Sequence, residues 1–401
     1  MLNSLFKYAK PSYIVLAFII LWDALHAYVF RSLGYGYILL FVVMFGVGYE
    51  MQYKYFWNNM FKKPIIYWFI WLIYVTINTF IFKGYNIETS KVSFIFVLYL
   101  PLFVVLIISS PKLSFIGLVN VLIASFFLRI LLTVFFDSFA AVGKNSIERL
   151  GADFNSNSIA FGALFIIVLI LFKKITFKKN LYFINYFQLV LALYIIMETA
   201  SRKTAIAIII IVIGYIYINR SKDIVKRYLK YAFAIFLLTI SGIFILNNTT
   251  IGHRLVSSYH ATENASSPNT MFDSRMGQYI QGYYQFIDNP ITGVGLYNFG
   301  YVGPVKITAH SEYIVQFAEC GLIGVLLSLL FYRYIFRELV KSKKFSELDK
   351  KISEYFIFFL LSSFFLMSGA WVYNLAIYWI IIGLIIKYIK FNTKEISISK
   401  N

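Results

Sequence analysis

The feature that most constrains this chain is a succession of apolar runs, each about as long as a bilayer is thick, separated by short basic stretches. A helix needs roughly 20 apolar residues to cross hydrocarbon. Twelve runs fit that length: 11–30, 36–53, 64–82, 92–110, 113–136, 157–172, 181–198, 203–219, 229–247, 311–332, 353–371 and 373–389. Inside a bilayer, backbone N–H and C=O groups find no water to pair with, so such runs must satisfy themselves as helices. The chain is therefore expected to be an all-α polytopic membrane protein, with about 12 transmembrane helices in a single integral membrane domain over 1–401. A mean hydropathy of +0.73 and 60 % hydrophobic residues exclude an ordinary soluble globule. The first run, starting at Pro11, lacks a small-residue cleavage site and leads directly into further runs, so it reads as a retained span rather than a signal peptide.

Loop charge orients the runs. With the N-terminus taken as cytoplasmic, the clusters at Lys62–Lys63, Lys173–Lys179, Arg220–Lys230, Arg333–Lys351 and Lys387–Lys400 all fall on one side. Most of the 37 basic residues are accounted for in this way. The bias alternates with each crossing, which predicts both termini in the cytoplasm. A net charge of +19 would suggest a nucleic-acid partner in a soluble protein. Here it sets orientation, and no nucleic acid is expected. The lone cysteine, Cys320, allows no disulfide framework.

Two substantial segments then face outward, 137–156 and 248–309. The second is the longest stretch outside the spans, and long excursions in a protein of short loops are usually functional. It carries an amphipathic segment that Asp273 or Ser274 can cap, with Met276, Ile280, Tyr283 and Ile287 on one face. Asn289-Pro290 should end that helix and Gly293-Val294-Gly295 should turn the chain sharply. The helix is expected to lie against the outer membrane surface and cover the bundle.

Basic residues outside the cytoplasmic clusters are the informative ones. Arg202 opens the eighth span and Arg275 falls in the first turn of the loop helix. Helix N-termini favour anions, so a cation there is locally unfavourable unless it shares an anionic ligand. A pyrophosphate gripped by guanidinium forks is one such ligand. The structural alternative has Arg202 snorkelling to headgroups and Arg275 pairing with Asp273 or Asp288. Arg129, within the fifth span, either snorkels or lines a cavity. Asn157 opens the sixth span, where capping is its simplest role. The roles of Asp23 in the first span and Glu319 in the tenth stay open. His310 ends the long loop just before the tenth span. At roughly 100° per residue on one continuous helix, Gly321 would sit about 20° from His310 and Gly324 about 40° to the other side. That places a titratable group above a stripe with room for another helix or a lipid tail. Four histidines without clustered carboxylates make no metal site, and neither a phosphate-binding loop nor a dinucleotide fingerprint is present, so no cofactor is expected.

His310-Ser311, nine residues, then Gly321-x-x-Gly324 resembles the H-[NSQ]-x9-G-x-x-G signature of the O-antigen ligase and polymerase superfamily. Ser201-Arg202, Arg275 followed by Asn289-Pro290-Ile291-Thr292-Gly293-Val294-Gly295, and Arg149-Leu150-Gly151 with Asn157 resemble further segments of that family, in the same order. The resemblance implies a membrane glycosyltransferase of the C-type fold that uses undecaprenyl-pyrophosphate-linked oligosaccharide and needs no metal. It further implies His310 as general base, Arg202 and Arg275 as pyrophosphate contacts, and, by a looser match, Arg149 and Asn157 as substrate-binding residues. The site would face the extracytoplasmic side. A polymerase of lipid-linked surface-polysaccharide repeat units, for O-antigen or capsule, is the preferred expectation. Abundant Tyr, Phe, Ile, Lys and Asn point to an AT-rich bacterial gene, a setting where such polymerases are widespread. A ligase that moves the glycan to lipid A–core is the alternative, and a polysaccharide transporter or flippase the third. A chain-length regulator is a further expected partner.

Overall fold

A computed structural model describes residues 11–28, 63–82, 89–110, 113–141, 156–177, 181–199, 201–220, 223–225, 228, 275–302, 311–368 and 376–398. Among these residues every regular element is helical. In chain order they are α1 (Pro11–Tyr28), α2 (Ile65–Ile77), a π turn (Asn78–Phe82), α3 (Thr89–Ile108), α4 (Phe115–Ala141), α5 (Ser156–Phe177), α6 (Phe183–Glu198), α7 (Arg202–Ile218), α8 (Arg275–Asp288), α9 (Phe299–Val302), α10 (Glu312–Val315), a second π turn (Gln316–Cys320), α11 (Gly321–Ser342), α12 (Glu347–Met367) and α13 (Ala376–Ile398). Ten of the twelve apolar runs coincide with helices, and those at 36–53 and 229–247 lie outside the described residues. Among the described residues, three helical stretches are long and apolar enough to cross a membrane: Phe115–Phe135, Ile159–Phe177 and Glu312–Ser342. Shorter apolar helices cover Pro11–Trp22, Ile65–Phe80, Tyr99–Ile108 and Phe183–Glu198.

α5 is apolar on every side, and from Ile159 to Phe177 nearly every side chain is buried. A helix of that kind belongs at the centre of a bundle. Around it pack α4, α6, α7 and α12. Phe126 meets Phe165 and Phe115 meets Phe172, both at 5.6 Å, so α4 and α5 run antiparallel. Phe165–Phe359 at 6.3 Å and Phe172–Phe356 at 5.0 Å make α5 and α12 antiparallel as well. Tyr355 locks that pair by donating its hydroxyl to the Val168 carbonyl at 2.7 Å. Lys173 Nζ near the end of α5 lies 5.8 Å from the Tyr182 ring just before α6, so α6 runs back along α5; α7 begins at Arg202, four residues after α6 ends at Glu198, and so runs with α5 and against α12. Gly214 lets α7 approach α12 closely, because a Cβ there would fall 2.4 Å from the Phe358 ring.

A second aromatic knot joins α2, α11 and α13. Trp68 stacks on Trp71 at 4.5 Å and meets Trp379 at 4.2 Å and Phe331 at 5.3 Å. Trp68 against Phe331 and Tyr74 beside Gly324 make α2 and α11 antiparallel. Side chains of this size bury large apolar areas, and paired rings contribute about 0.5–1.5 kcal/mol beyond that burial.

Candidate functional site

The tenth run is not one helix. α10 gives way to the π turn Gln316–Cys320, and Gly321, where α11 begins, adopts φ 60° and ψ −169°. That region of conformational space is essentially restricted to glycine. The expected stripe from His310 through Gly321 to Gly324 presupposes a continuous helix, so the structure corrects it. The backbone break destroys the angular register, and the space at Gly321 is already filled. A Cβ on Gly321 would lie 2.5 Å from Gly293 N and Ile291 O. Reciprocally, a Cβ on Gly293 would lie 2.4 Å from the Glu319 carbonyl carbon. The stretches 289–295 and 316–324, separate in sequence, interlock through their glycines.

The reason is hydrogen bonding. Breaking a helix leaves carbonyls unpaired before the break and N–H groups unpaired after it. The 290–295 stretch supplies both sets. Val294 N–H donates to Ala318 O at 2.8 Å and Gly295 N–H to Glu319 O at 2.9 Å, while Leu322 N–H donates to Pro290 O at 2.9 Å and Ile323 N–H to Ile291 O at 3.2 Å. Gly293 (φ 69°) and Gly295 (φ 88°) provide the turns that this path needs.

Glu319, whose role the sequence left open, pins the next turn. Its carboxyl is fully buried and accepts Tyr297 N–H on Oε2 at 2.9 Å and Phe299 N–H on Oε1 at 3.0 Å. α2 and the π turn that follows it brace the other side of the crossing. Tyr74 donates its hydroxyl to Cys320 O at 2.9 Å, Asn78 donates Nδ2 to Thr292 O at 2.7 Å, and Leu296 N–H donates to Thr79 Oγ1 at 2.8 Å. An acidic residue inside an apolar run was the available signal for Glu319. Nothing in the local pattern singled out Tyr74, Asn78 or Thr79, because their partners are more than two hundred residues away. Replacing Glu319 with glutamine removes one of two buried acceptors. We expect a loss of about 1–3 kcal/mol, read as a lower thermal unfolding midpoint in detergent, with leucine costing more than glutamine.

α8 packs over this crossing. Phe286 meets Phe317 edge-on at 5.3 Å, and Gly282 sits against Ile314. The helix exists where the amphipathic pattern placed it and ends at Asp288, just before Asn289-Pro290. Its glutamine face is the one turned to the protein. Gln278, Gln281 and Gln285 are buried, and both Gln281 and Gln285 donate Nε2 to Phe299 O at 2.8 Å. Tyr283, Tyr284 and Ile287 stay exposed.

The remaining sequence-derived candidates divide by what is described. His310 and Arg149 lie outside the described residues. Arg275 and Asn157 are described by backbone alone: Arg275 is the first residue of α8 and Asn157 the second of α5. Arg202 is half-buried at the first position of α7, after a buried Ser201 whose Oγ lies 2.9 Å from Thr204 Oγ1. The helix directions bring the starts of α5 and α7 to the end of the bundle where α12 finishes. Tyr313 donates its hydroxyl to Phe364 O at 2.6 Å, which puts α10 and the crossing at that end too. Arg129 does not snorkel. It is 1 % exposed, and a Cβ on Gly162 of α5 would lie 3.6 Å from its Nη1. Among the described residues no group of His, Cys, Asp and Glu could hold a metal ion.

Residues 187–329 match the family model described as O-Antigen ligase. That span contains the start of α7, the whole of α8, the crossing and the first part of α11. No curated protein matches the chain.

Proposed function

We propose that this chain, whose residues 187–329 match the O-Antigen ligase family model, is a member of the O-antigen ligase and polymerase superfamily and acts as a polymerase of lipid-linked surface-polysaccharide repeat units. The observation that carries the reading is the convergence at one end of the helix bundle. The start of α7 at Arg202, the start of α5 at Asn157 and the braced crossing that follows His310 all lie there. The donor is an oligosaccharide on undecaprenyl pyrophosphate. An acceptor sugar hydroxyl attacks the anomeric carbon, the bond to the pyrophosphate oxygen breaks, and the configuration inverts. His310 takes the hydroxyl proton. Histidine suits this step because its ordinary pKa, near 6.5, leaves it unprotonated at neutral pH. Arg202 and Arg275 hold the pyrophosphate as its charge grows, with Arg149 and Asn157 completing the donor site. In a partly desolvated cleft such contacts contribute on the order of several kcal/mol and take the place of a divalent cation. The twelve-span count, with both termini cytoplasmic and the site on the extracytoplasmic face of a bacterial inner membrane, belongs to the same proposal. So does a chain-length regulator as partner.

The family description favours a second reading, in which the glycan is transferred to lipid A–core. Deleting the gene separates the two. A missing polymerase leaves single repeat units on the cell surface. A missing ligase leaves long glycan on the lipid carrier and none on lipid A–core. A normal surface-glycan ladder after deletion overturns both.

Arg202→Lys tests the pyrophosphate role. Arginine grips an oxyanion through a planar fork and lysine through a single point charge. Removing one transition-state donor typically costs about 10²–10³-fold in kcat. Lysine is expected to restore less than about a tenth of the wild-type rate, given that bidentate geometry. Full restoration by lysine would reduce Arg202 to a diffuse electrostatic part.

A further inference from the structure

The half of α11 that leads away from the crossing carries a groove. Leu326, Leu329, Leu330, Phe336 and Val340 are exposed and recur at helical spacing, so they share one stripe of α11. With Phe364 of α12 they line a groove of about 750 Å³. Tyr332 lends its ring to the lining. Its hydroxyl lies 3.4 Å from that of the buried Tyr378, and Phe364 meets the ring edge-on at 5.3 Å. The stretch Glu312–Ser342 is long and apolar enough to span a bilayer, which sets the groove against hydrocarbon.

Two cations stand on its wall. Arg333 and Arg337 line the groove one helical turn apart, and both are exposed. Arg337 shares Glu338 with Lys341, at 3.3 and 2.9 Å, and no ion pair among the described residues involves Arg333. These four are the charged residues of α11, all within its last three turns, so that end keeps a positive excess. From Leu326 to Arg337 the stripe runs roughly 16 Å along the helix axis, close to the depth of one leaflet, about 15 Å.

We propose that this groove binds an anionic phospholipid of the surrounding membrane, with an acyl chain along Leu326, Leu329 and Leu330 and the phosphate on Arg333 and Arg337. The site lies outside the glycosyl-transfer chemistry and needs only that α11 crosses a bilayer. Charge complementarity decides the occupant. An apolar wall alone takes any acyl chain, whereas guanidinium forks hold a phosphate. Another helix is disfavoured, because helices in membranes approach through small residues and this stripe carries leucine, phenylalanine and valine. The substrate's lipid carrier is disfavoured by distance. Arg333 lies twelve residues beyond Gly321, roughly 18 Å along α11 from the crossing, so a pyrophosphate held there would be far from the proposed donor site. By the charge bias of the loops this end of α11 faces the cytoplasm, where anionic lipids attract basic residues.

Native mass spectrometry gives the test. Full-length protein purified in detergent is titrated with phosphatidylglycerol and, separately, with phosphatidylcholine of the same acyl chains. Phosphatidylglycerol should bind about ten- to thirtyfold more tightly, as expected of two basic side chains near a lipid phosphate. Equal affinity for the two lipids means ordinary boundary lipid and overturns the site. Arg333→Gln with Arg337→Gln should abolish the preference while moving the lipid-free thermal midpoint by less than about 2 °C, because both side chains are exposed. A preference that survives the double substitution overturns the proposal. Leu330→Trp fills the groove and keeps both arginines, so phosphatidylglycerol affinity should fall about tenfold as acyl burial is lost. Unchanged affinity there removes the groove from the binding and overturns the proposal equally. Leu326→Trp, one turn away, repeats the comparison where Leu330→Trp misfolds. Displacement of phosphatidylglycerol by equimolar undecaprenyl phosphate assigns the groove to the lipid carrier and overturns the phospholipid as its occupant.

Discussion

Gly321→Ala is expected to leave little or no folded protein in the membrane. Two costs add at that position. A side chain in the conformation Gly321 adopts costs about 1–3 kcal/mol by itself. The new Cβ would also fall 2.5 Å from the Gly293 amide nitrogen and the Ile291 carbonyl oxygen. Those are backbone atoms held by hydrogen bonds, Gly293 N–H to Asn289 O and Ile323 N–H to Ile291 O, so they cannot rotate away as a side chain can. Overpacking of a fixed neighbour costs a further 1–3 kcal/mol or so. The sum, about 2–6 kcal/mol, is a large part of a typical domain's stability. Gly162→Ala is the control. A Cβ there makes ordinary contacts, 3.6 Å to Arg129 Nη1 and 3.9 Å to Phe126. Helix propensity favours alanine over glycine by up to about 1 kcal/mol, so that variant should fold as well as the parent. Thermal unfolding of both variants in the same detergent checks the pair. A Gly321→Ala midpoint equal to that of Gly162→Ala would refute the interlocked crossing.

His310→Ala should abolish long-chain surface glycan while the protein still reaches the membrane. The expectation follows from where the residue sits in sequence. The next residue, Ser311, is buried and opens α10, whose Tyr313 is tied to the end of α12 and whose following π turn is braced by the 290–295 stretch. Proton transfer by the base proposed at the residue just before this segment would contribute about 10²–10⁴-fold to rate. Loss of that factor would take polymer below detection on a gel. His310→Gln keeps hydrogen bonding without basicity and should be equally inactive. A normal chain-length ladder from either variant would remove His310 from the chemistry.

The sequence carried the helices more clearly than the site. Apolar runs of membrane length are long and repetitive, and α4, α5 and α12 appear close to where those runs lie. Arg202 as the first residue of α7 and Asp288 as the last of α8 were also legible, from their flanking cap and breaker residues. The tenth run misled, because hydropathy does not register a backbone break. Only Gly321 marked it, and a glycine in an apolar run reads equally as a packing residue. The face that α8 turns to the protein was not legible either. The amphipathic pattern gave the helix but not its partner, and the glutamine side meets the protein by donating to the Phe299 carbonyl. Glu319, Asn78 and Tyr74 act through contacts far apart in sequence, which no local pattern encodes. The resemblance named both motif segments, and the structure supplies the physical reason they occur together: each completes the other's backbone hydrogen bonds.

The proposed polymerase activity requires that this chain itself extends lipid-linked glycan. The most direct measurement incubates purified protein in lipid vesicles with a lipid-linked repeat unit as the sole substrate and a metal chelator present. Chain lengths are then resolved by gel or mass spectrometry. Products with several repeat units and released undecaprenyl pyrophosphate are expected, with neither formed by His310→Ala. Substrate that stays unextended, even after lipid A–core is added as acceptor, would contradict it.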